Sequence, residues 1–416
     1  MARVGQQVVG LDEDRLPGRV AVGVLTRVFP PGLVDEVVAG AGVVEQRIRV
    51  LPARLVVYYT LAMIVFFQSS YSQVWVKLVG GLDWAKSFRA RVAVGMSPSP
   101  AAISKARARL GWQVMADLLE RVAGPLAGRD DGWAYVAGLR LVAVDGLTVD
   151  VPDSPANRAE FGRPRGGIGP GAFPQVRVVA LAECGSRALM GARCAGVTTG
   201  EQTLVAELMG LLGKGMLVVA DRGFLSHKTL SETLATGAHA LLRAKADIDL
   251  PVLSVLADGT YISRIADPAV SGRLRRQGKR GADLPGITVR VIEYSVSTHD
   301  DQDPSEVFAL ITDLIDPTEL TAVQAAQAYT QRWEIETAFG ELETGIRGGP
   351  AVVLRSKSPD MIRQELYALL CVYQAIRTLI YNSADQAGLD PDRISFTCAK
   401  NAIAARVSDA AAFSPR

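Results

Sequence analysis

Two aspartates stand where apolar strands run out. Asp145 follows Leu141-Val-Ala-Val and precedes Gly146; Asp221 follows Leu217-Val-Val-Ala and precedes Arg222-Gly223. A lone carboxylate at such a place is costly to desolvate unless it is paired or bound to a cation. Two strands lying side by side would bring the carboxylates together, where they repel. A divalent metal resolves that repulsion, and Mg2+ favours oxygen ligands with some water retained. Two metals about 4 Å apart can activate a water and stabilise the leaving oxygen of a phosphodiester. Either aspartate alone reads as a strand-end turn residue; the pair, in this chain's order of strands and helices, does not.

A third acid lies in Tyr329-Thr-Gln-Arg332-Trp-Glu-Ile-Glu336-Thr-Ala-Phe339-Gly-Glu-Leu-Glu343. At about 100° per residue, Tyr329, Arg332, Glu336 and Glu343 fall within roughly 60° of arc on a helix. One face therefore presents a phenol, a guanidinium and a carboxylate, a set suited to holding a metal while gripping phosphates. Glu334 and Glu341 point elsewhere and read as solvated. Trp333 and Phe339 read as packing residues.

The elements that must position these groups follow from periodicity. Residues 1–125 read as mostly helical. Within them Leu55–Phe67 is almost wholly apolar, yet shorter than the roughly 18 to 20 residues that span a bilayer, so it reads as a buried helix. Ile103–Leu119 reads as one amphipathic helix whose polar side carries Lys105, Arg107 and Arg109, either solvated or in contact with nucleic acid. Breakers from Gly124 to Gly132 form a linker. Leu139–Val151 alternates as a strand, and Val176–Glu183 with Arg187–Ala195 forms a hairpin. Thr199 and Gln202 read as a capping box opening a helix through Leu212. Met216–Ala220 is a fully buried strand, Ser226–Thr236 a helix, and His239–Lys245 a strand. Residues 246–315 read as a β-rich insertion containing the basic run Arg273, Arg275, Arg276, Lys279 and Arg280, which suits phosphate contact. Asp316-Pro-Thr-Glu319 reads as the cap of a helical stretch through about Thr344, and Ser358-Pro-Asp360 opens a long helix, Met361 to about Tyr381.

The fold class is thus α/β: a ribonuclease H-like catalytic core over 133–245 and 316–385, interrupted by the insertion at 246–315. A helical N-terminal domain over 1–125 precedes it, and C-terminal helices and a tail over 386–416 come after it. Composition narrows the function classes. The chain has 416 residues, 49% of them hydrophobic, and a net charge of +2, so a nucleic-acid partner must be argued from local clusters. Cys184, Cys194, Cys371 and Cys398, with His227, His239 and His299, show no zinc or thioredoxin-like spacing. The thiols read as reduced, in a cytoplasmic protein without a membrane span. Early acids at Asp12, Glu13 and Asp14 speak against a signal peptide. Gly166–Gly171 falls between strands and carries Pro170, so it does not read as a dinucleotide loop; with Arg163 and Arg165 beside it, it reads as a loop near the carboxylates.

Asp145-Gly, Asp221-Arg-Gly-Phe and Tyr329-x2-Arg332-x3-Glu336 together resemble the DDE transposases of bacterial insertion sequences, in the insertion-sequence-four family. The segment Val151-Pro-Asp153-Ser-Pro-Ala-Asn157-Arg-Ala-Glu-Phe161-Gly is similar to the stretch after the first aspartate in that family. The resemblance covers roughly residues 50–380. It implies that Asp145, Asp221 and Glu336 hold two Mg2+ ions, for which Mn2+ can substitute. It also implies that Tyr329 and Arg332 contact DNA phosphates, with Arg222 and the basic run among the DNA contacts. The reaction would be nicking at the element's terminal inverted repeats, then attack of the freed 3′-hydroxyl on target DNA, within a homodimeric synaptic complex.

The family's motif usually closes with a lysine seven residues after the glutamate, where this chain has Glu343. Glu343 is therefore expected to face DNA and repel it, and Arg347 to replace part of the missing cation; the other reading is that the two pair with each other, four residues apart, on a solvated surface. No tryptophan lies between Asp221 and Trp333 to hold a flipped base, which puts hairpin cleavage in doubt. An inactive or domesticated DNA-binding descendant, and a nuclease that cuts without joining, are the other readings.

Overall fold

The computed structural model describes residues 21–45, 51–80, 97–166, 169–246, 248–296 and 306–406. They divide into two units: the residues up to Leu110 with those from Thr397 on, and Gly111–Phe396. The acids at 12–14, His299 and residues 407–416 lie outside the described residues.

The first unit is helical, with α1 (Ala21–Val28), α2 (Pro31–Gly40), α3 (Ala53–Val65), α4 (Tyr71–Gly80) and α5 (Pro100–Leu110). Every residue of α3 is buried except Arg54, which pairs with Asp35. An all-apolar helix is stable in water only at the centre of such a bundle. Among the described residues no helix is long and apolar enough to cross a membrane.

The single amphipathic helix expected over Ile103–Leu119 is two helices. Gly111 turns the chain at φ +78°, a conformation that favours glycine, and α6 (Gln113–Val122) comes next. Arg107, expected on a polar face, is fully buried, where its Nη1 donates to the Tyr71 hydroxyl at 2.6 Å. The boundary between units falls at Leu110 rather than 125, because α6 belongs to the second unit and packs there on its longest helix.

Along the second unit run β1 (Tyr135–Val136), β2 (Leu139–Asp150), α7 (Pro155–Phe161), the small ladder β3 (Arg165–Gly166) with β4 (Gly169–Pro170), β5 (Gln175–Glu183), β6 (Leu189–Gly196), α8 (Glu201–Ala206), β7 (Met216–Ala220), α9 (His227–Ala235) and β8 (His239–Arg243). Then come β9 (Ser254–Val255), β10 (Tyr261–Ala266), α10 (Pro268–Arg276), β11 (Gly286–Val296), β12 (Glu306–Thr312), α11 (Ala322–Thr330), α12 (Trp333–Gly340), α13 (Pro359–Ala387) and α14 (Phe396–Arg406), the last crossing the unit boundary.

The main sheet has the order β6-β5-β2-β7-β8-β12-β11-β10-β9, with β1 beside β2. The centre β2-β7-β8 is parallel and its flanks are antiparallel. This is the α/β, ribonuclease H-like arrangement, with the inserted strands between β8 and α11. Those strands extend the sheet rather than folding apart. One hydrophobic core joins Val144, Val218 and Leu242 to Ile265, Val291 and Ile311 across it. The basic run in the insertion lies on α10 and the turn after it, with an Asp267 cap accepting from Ala269.

Other sequence readings shift locally. Thr199 caps nothing: α8 starts after Gly200, stops at Ala206, and Gln202 Nε2 instead donates to the Gly223 carbonyl at 3.0 Å. The capping box that opens α11 is Thr321 with Gln324, five residues beyond Asp316, whose carboxylate closes a local turn onto Thr318. The stretch from there to Thr344 is not one helix. It breaks after Thr330, resumes as α12, and widens into a π-turn over Glu341–Arg347. The expected tail beyond 385 begins with the last turn of α13, closed by Gly388 in the left-handed region, and includes α14.

Candidate active site

Parallel pairing of β2 with β7 runs from Arg140↔Met216 to Val144↔Ala220 and ends there. Asp145 and Asp221 are the next residues of each strand, so they stand side by side at the edge where that pairing stops. Adjacent strands lie about 4.8 Å apart. Asp145 is not at a strand exit, because β2 continues to Asp150 along β5, with Ala180 opposite Asp145. Asp221 does leave its strand and starts the 3-10 turn Arg222–Phe224.

Burial pushes the Asp145 carboxyl up to about 6, against the opposing pull of the Gly146 N–H and Arg332. The Gly146 N–H donates to Asp145 Oδ1 at 2.7 Å. Gly146 also leaves room for Glu201: a Cβ there would lie 2.6 Å from Glu201 Oε1. Glu201 adds negative charge near Asp145 and sits 3.7 Å from Arg177 Nε.

Arg332 brings the third acid in. It is buried, its Nη1 bonds Glu336 Oε1 at 2.5 Å, and the same nitrogen lies 3.8 Å from Asp145 Oδ2. Burial works against its charge, but the Glu336 hydrogen bond and the surrounding negative groups hold its pKa above the ordinary value. Tyr329 is buried with a hydroxyl that has no hydrogen-bond partner in good geometry among the described residues, and the Arg332 guanidinium lies 5.9 Å from its ring. Burial pushes that phenol up to about 12, with the Asp221 charge adding to the rise. Arg332 thus links Glu336 to Asp145, and Tyr329 lies near enough to feel the Asp221 charge, although a break in the helix at Gln331–Arg332 separates Tyr329 from α12.

Four readings of this segment need correction. Glu334 and Glu341 are not solvated; both are only 15% exposed and both bond Arg187. Trp333 does not pack inside but is 59% exposed, with Arg332 stacked 4.8 Å from its ring. Arg347 is 1% exposed, so it is not a surface DNA contact. The π-turn rotates it inward, where it donates to the Val352 carbonyl and pairs with Glu343 at 3.4 Å. Glu343, held by that buried guanidinium, does not stand as a free acid beside Glu336.

Arg222, Arg273, Arg275, Arg276, Lys279 and Arg280 are all exposed or partly so. Only the first stands beside Asp221; the rest lie on α10 and the turn after it, between β10 and β11. Sequence reasoning missed Arg243. Leu242 pairs with Ala220, so Arg243 is next to Asp221 on the neighbouring strand and adds positive charge near Tyr329. Its position at the end of an apolar strand was the available signal.

Among the described residues no group of three or more His, Cys, Asp or Glu is drawn close enough to hold a metal ion. The donors at this edge are carboxylate oxygens, the type Mg2+ takes. Asp145 is desolvated and shares the Arg332 guanidinium with Glu336, so these carboxylates are a donor set of the kind a divalent ion takes.

Fold and site define a ribonuclease H-like protein with acids on adjacent central strands. Comparison with known proteins agrees. Residues 137–375 match the family described as "Transposase DDE domain", and residues 19–120 match "Insertion element 4 transposase N-terminal". The chain belongs to the insertion-element-4 family of DDE transposases. It is 25% identical over 374 residues to "Transposase InsG for insertion sequence element IS4" of Escherichia coli (strain K12), an alignment covering 88% of this chain and 78% of that one. The fold resembles a piggyBac transposase in a synaptic complex with hairpin DNA, with TM-score 0.50, 9% identity, and coverage of 95% of this chain and 81% of that one.

Proposed function

We propose that this transposase nicks DNA at the ends of an insertion element and joins the freed 3′-hydroxyl to target DNA, using Asp145, Asp221 and Glu336 as ligands of divalent metal ions, Mg2+ or Mn2+. The observation that carries this reading is Asp145 beside Asp221 with Glu336 held to Asp145 through Arg332. When bound, the ions supply an activated oxygen nucleophile and neutralise charge on the leaving oxygen.

The chain's own residues do the rest. Asp145, within β2, and Asp221, just past the end of β7, fix the reacting edge because the pairing of those two strands stops immediately before them. Arg332, Tyr329, Arg243 and Arg222 surround that edge with donors for phosphate oxygens. In the first step water adds to phosphorus and the 3′-oxygen leaves, giving a 3′-hydroxyl and a 5′-phosphate. In the second, that hydroxyl adds to a target phosphorus and displaces its 3′-oxygen. The exposed arginines of α10 bind backbone phosphate away from the reacting edge. The helical N-terminal region grips element ends, and a homodimer brings two ends together in the cytoplasm.

The test is incubation of purified protein and Mg2+ with DNA carrying the ends of its source element. Nicks with 3′-hydroxyls and joined products are expected. Binding without nicks would indicate a DNA-binding descendant, and nicks without joining a nuclease.

A further inference from the structure

We propose that Arg187 is a positioning residue for Glu336, clamping the helix that carries it from behind; this rests on the reading of Asp145, Asp221 and Glu336 as metal ligands. Arg187 lies just past the β5–β6 turn at φ 57°, a left-handed conformation rare for a residue with a side chain. Such an outlier persists only where surrounding contacts hold it.

The side chain makes four such contacts. Nε reaches Glu334 Oε2 at 2.6 Å and Nη2 reaches Glu334 Oε1 at 3.4 Å. Nη1 reaches Glu341 Oε1 at 3.3 Å, and Nη2 reaches Asp392 Oδ1 at 2.7 Å. The Arg187 carbonyl accepts the Tyr373 hydroxyl at 3.0 Å, and the fully buried Arg377 bonds Glu341 from the other side.

Glu334 and Glu341 bracket α12, one near its start and the other just past its end. The helix needs such anchors, because a turn at Gln331–Arg332 precedes it and a π-turn succeeds it. Glu334 precedes Glu336 by two residues, about 200° around a helix, so a grip on Glu334 leaves Glu336 on the opposite face. That face meets Arg332 and Asp145.

The other end of the clamp is tied to Asp145. Arg187 N–H donates to the Glu183 carbonyl and Cys184 N–H to the Leu141 carbonyl, both at 3.0 Å, and β5 pairs with β2 through Asp145. One hairpin thereby sets Glu336 against Asp145 without touching the reacting edge.

The test uses the full chain carrying Arg187→Lys, which keeps the charge and loses the forked grip. Per folded molecule, single-turnover nicking should fall about 10- to 100-fold and half-saturating Mg2+ rise by a similar factor, the range for residues that orient metal ligands. Mn2+ binding, monitored by electron paramagnetic resonance, should weaken in parallel, while affinity for a pre-cleaved end stays at the wild-type value. A merely structural role would lower the unfolding midpoint and leave rate, Mg2+ dependence and Mn2+ binding unchanged, which overturns the proposal. If Arg187→Lys does not fold, Arg187→Gln with Glu334→Gln, which removes one charge of each sign, carries the same expectations. Failure of both to fold would assign Arg187 to stability alone and also overturn it. Glu336→Gln separates the two levels: nicking by that variant defeats the metal-site reading itself, whereas a dead Glu336→Gln beside a fully active Arg187→Lys defeats only the clamp.

Discussion

Asp145 and Asp221 each follow the last pair of two adjacent parallel strands, Val144 and Ala220, Asp145 continuing along β2 and Asp221 opening a 3-10 turn. Neither needs a flexible loop to reach the other. The pairing that ends immediately before them brings both carboxylates to one edge, the arrangement that makes replacing one charge consequential.

Asp145→Asn or Asp221→Asn should therefore abolish nicking of element-end DNA while leaving end binding intact, because each removes a ligand charge without removing a DNA contact. Paired gel-shift and nicking assays on the purified variants check this. Undiminished cutting by either one sinks the assignment.

Glu336 and Glu341 should separate function from stability. Glu336 is 36% exposed, so Glu336→Gln should fold normally and fail to cut. Glu341→Gln instead strands Arg377, which is fully buried, and should cost about 3 to 5 kcal/mol, the range for breaking a buried pair. Urea unfolding of both variants decides it; equal stabilities would show that the cluster behind α12 holds nothing together.

Glu343→Lys tests the departure from the family's closing lysine. Glu343 neutralises the buried Arg347, whose pKa burial already lowers. A lysine there should destabilise the protein and leave the salt dependence of end binding unchanged. A log–log slope steeper by about 0.9 would mean that the new cation reaches a phosphate, contrary to this geometry.

Asp392 gives the pH dependence. Burial, then the Glu334 charge, pushes its carboxyl up to about 6 against the pull of Arg187; Asp390 adds to the rise and Arg377 opposes it. A raised carboxyl stabilises the fold most below its unfolded pKa of about 3.9, and that contribution is lost as pH rises through about 6. Asp392→Asn stays neutral throughout, so its stability relative to wild type should improve between about pH 4 and about pH 7.5, on either side of that range. Urea melts at both values measure the difference; a gap that does not change with pH counts against it.

The sequence by itself determined the strands and their acids. Apolar runs leading into Asp145 and Asp221 admit few other readings, since a buried strand and the carboxylate that follows its apolar run are both local properties. It likewise determined α3 from its unbroken apolar run, α9 from its Ser226 cap and α13 from its apolar length after Ser358-Pro359. The family motif singled out Tyr329, Arg332 and Glu336 for the same reason: their spacing is written within one short segment.

What only tertiary structure decided is which side chains meet across segments. A projection at a constant angle assumed an unbroken helix, but the break after Thr330 and the π-turn at Glu341–Arg347 changed the phase, turning Arg347 inward. Glu334 and Glu341 read as solvated because their partners, Arg187 and Arg377, are distant in sequence. Arg243 became part of the site only once β8 was placed beside β7. Burial of a charge depends on whether an opposite charge arrives to neutralise it, and that arrival is a property of the folded chain, not of any window along it.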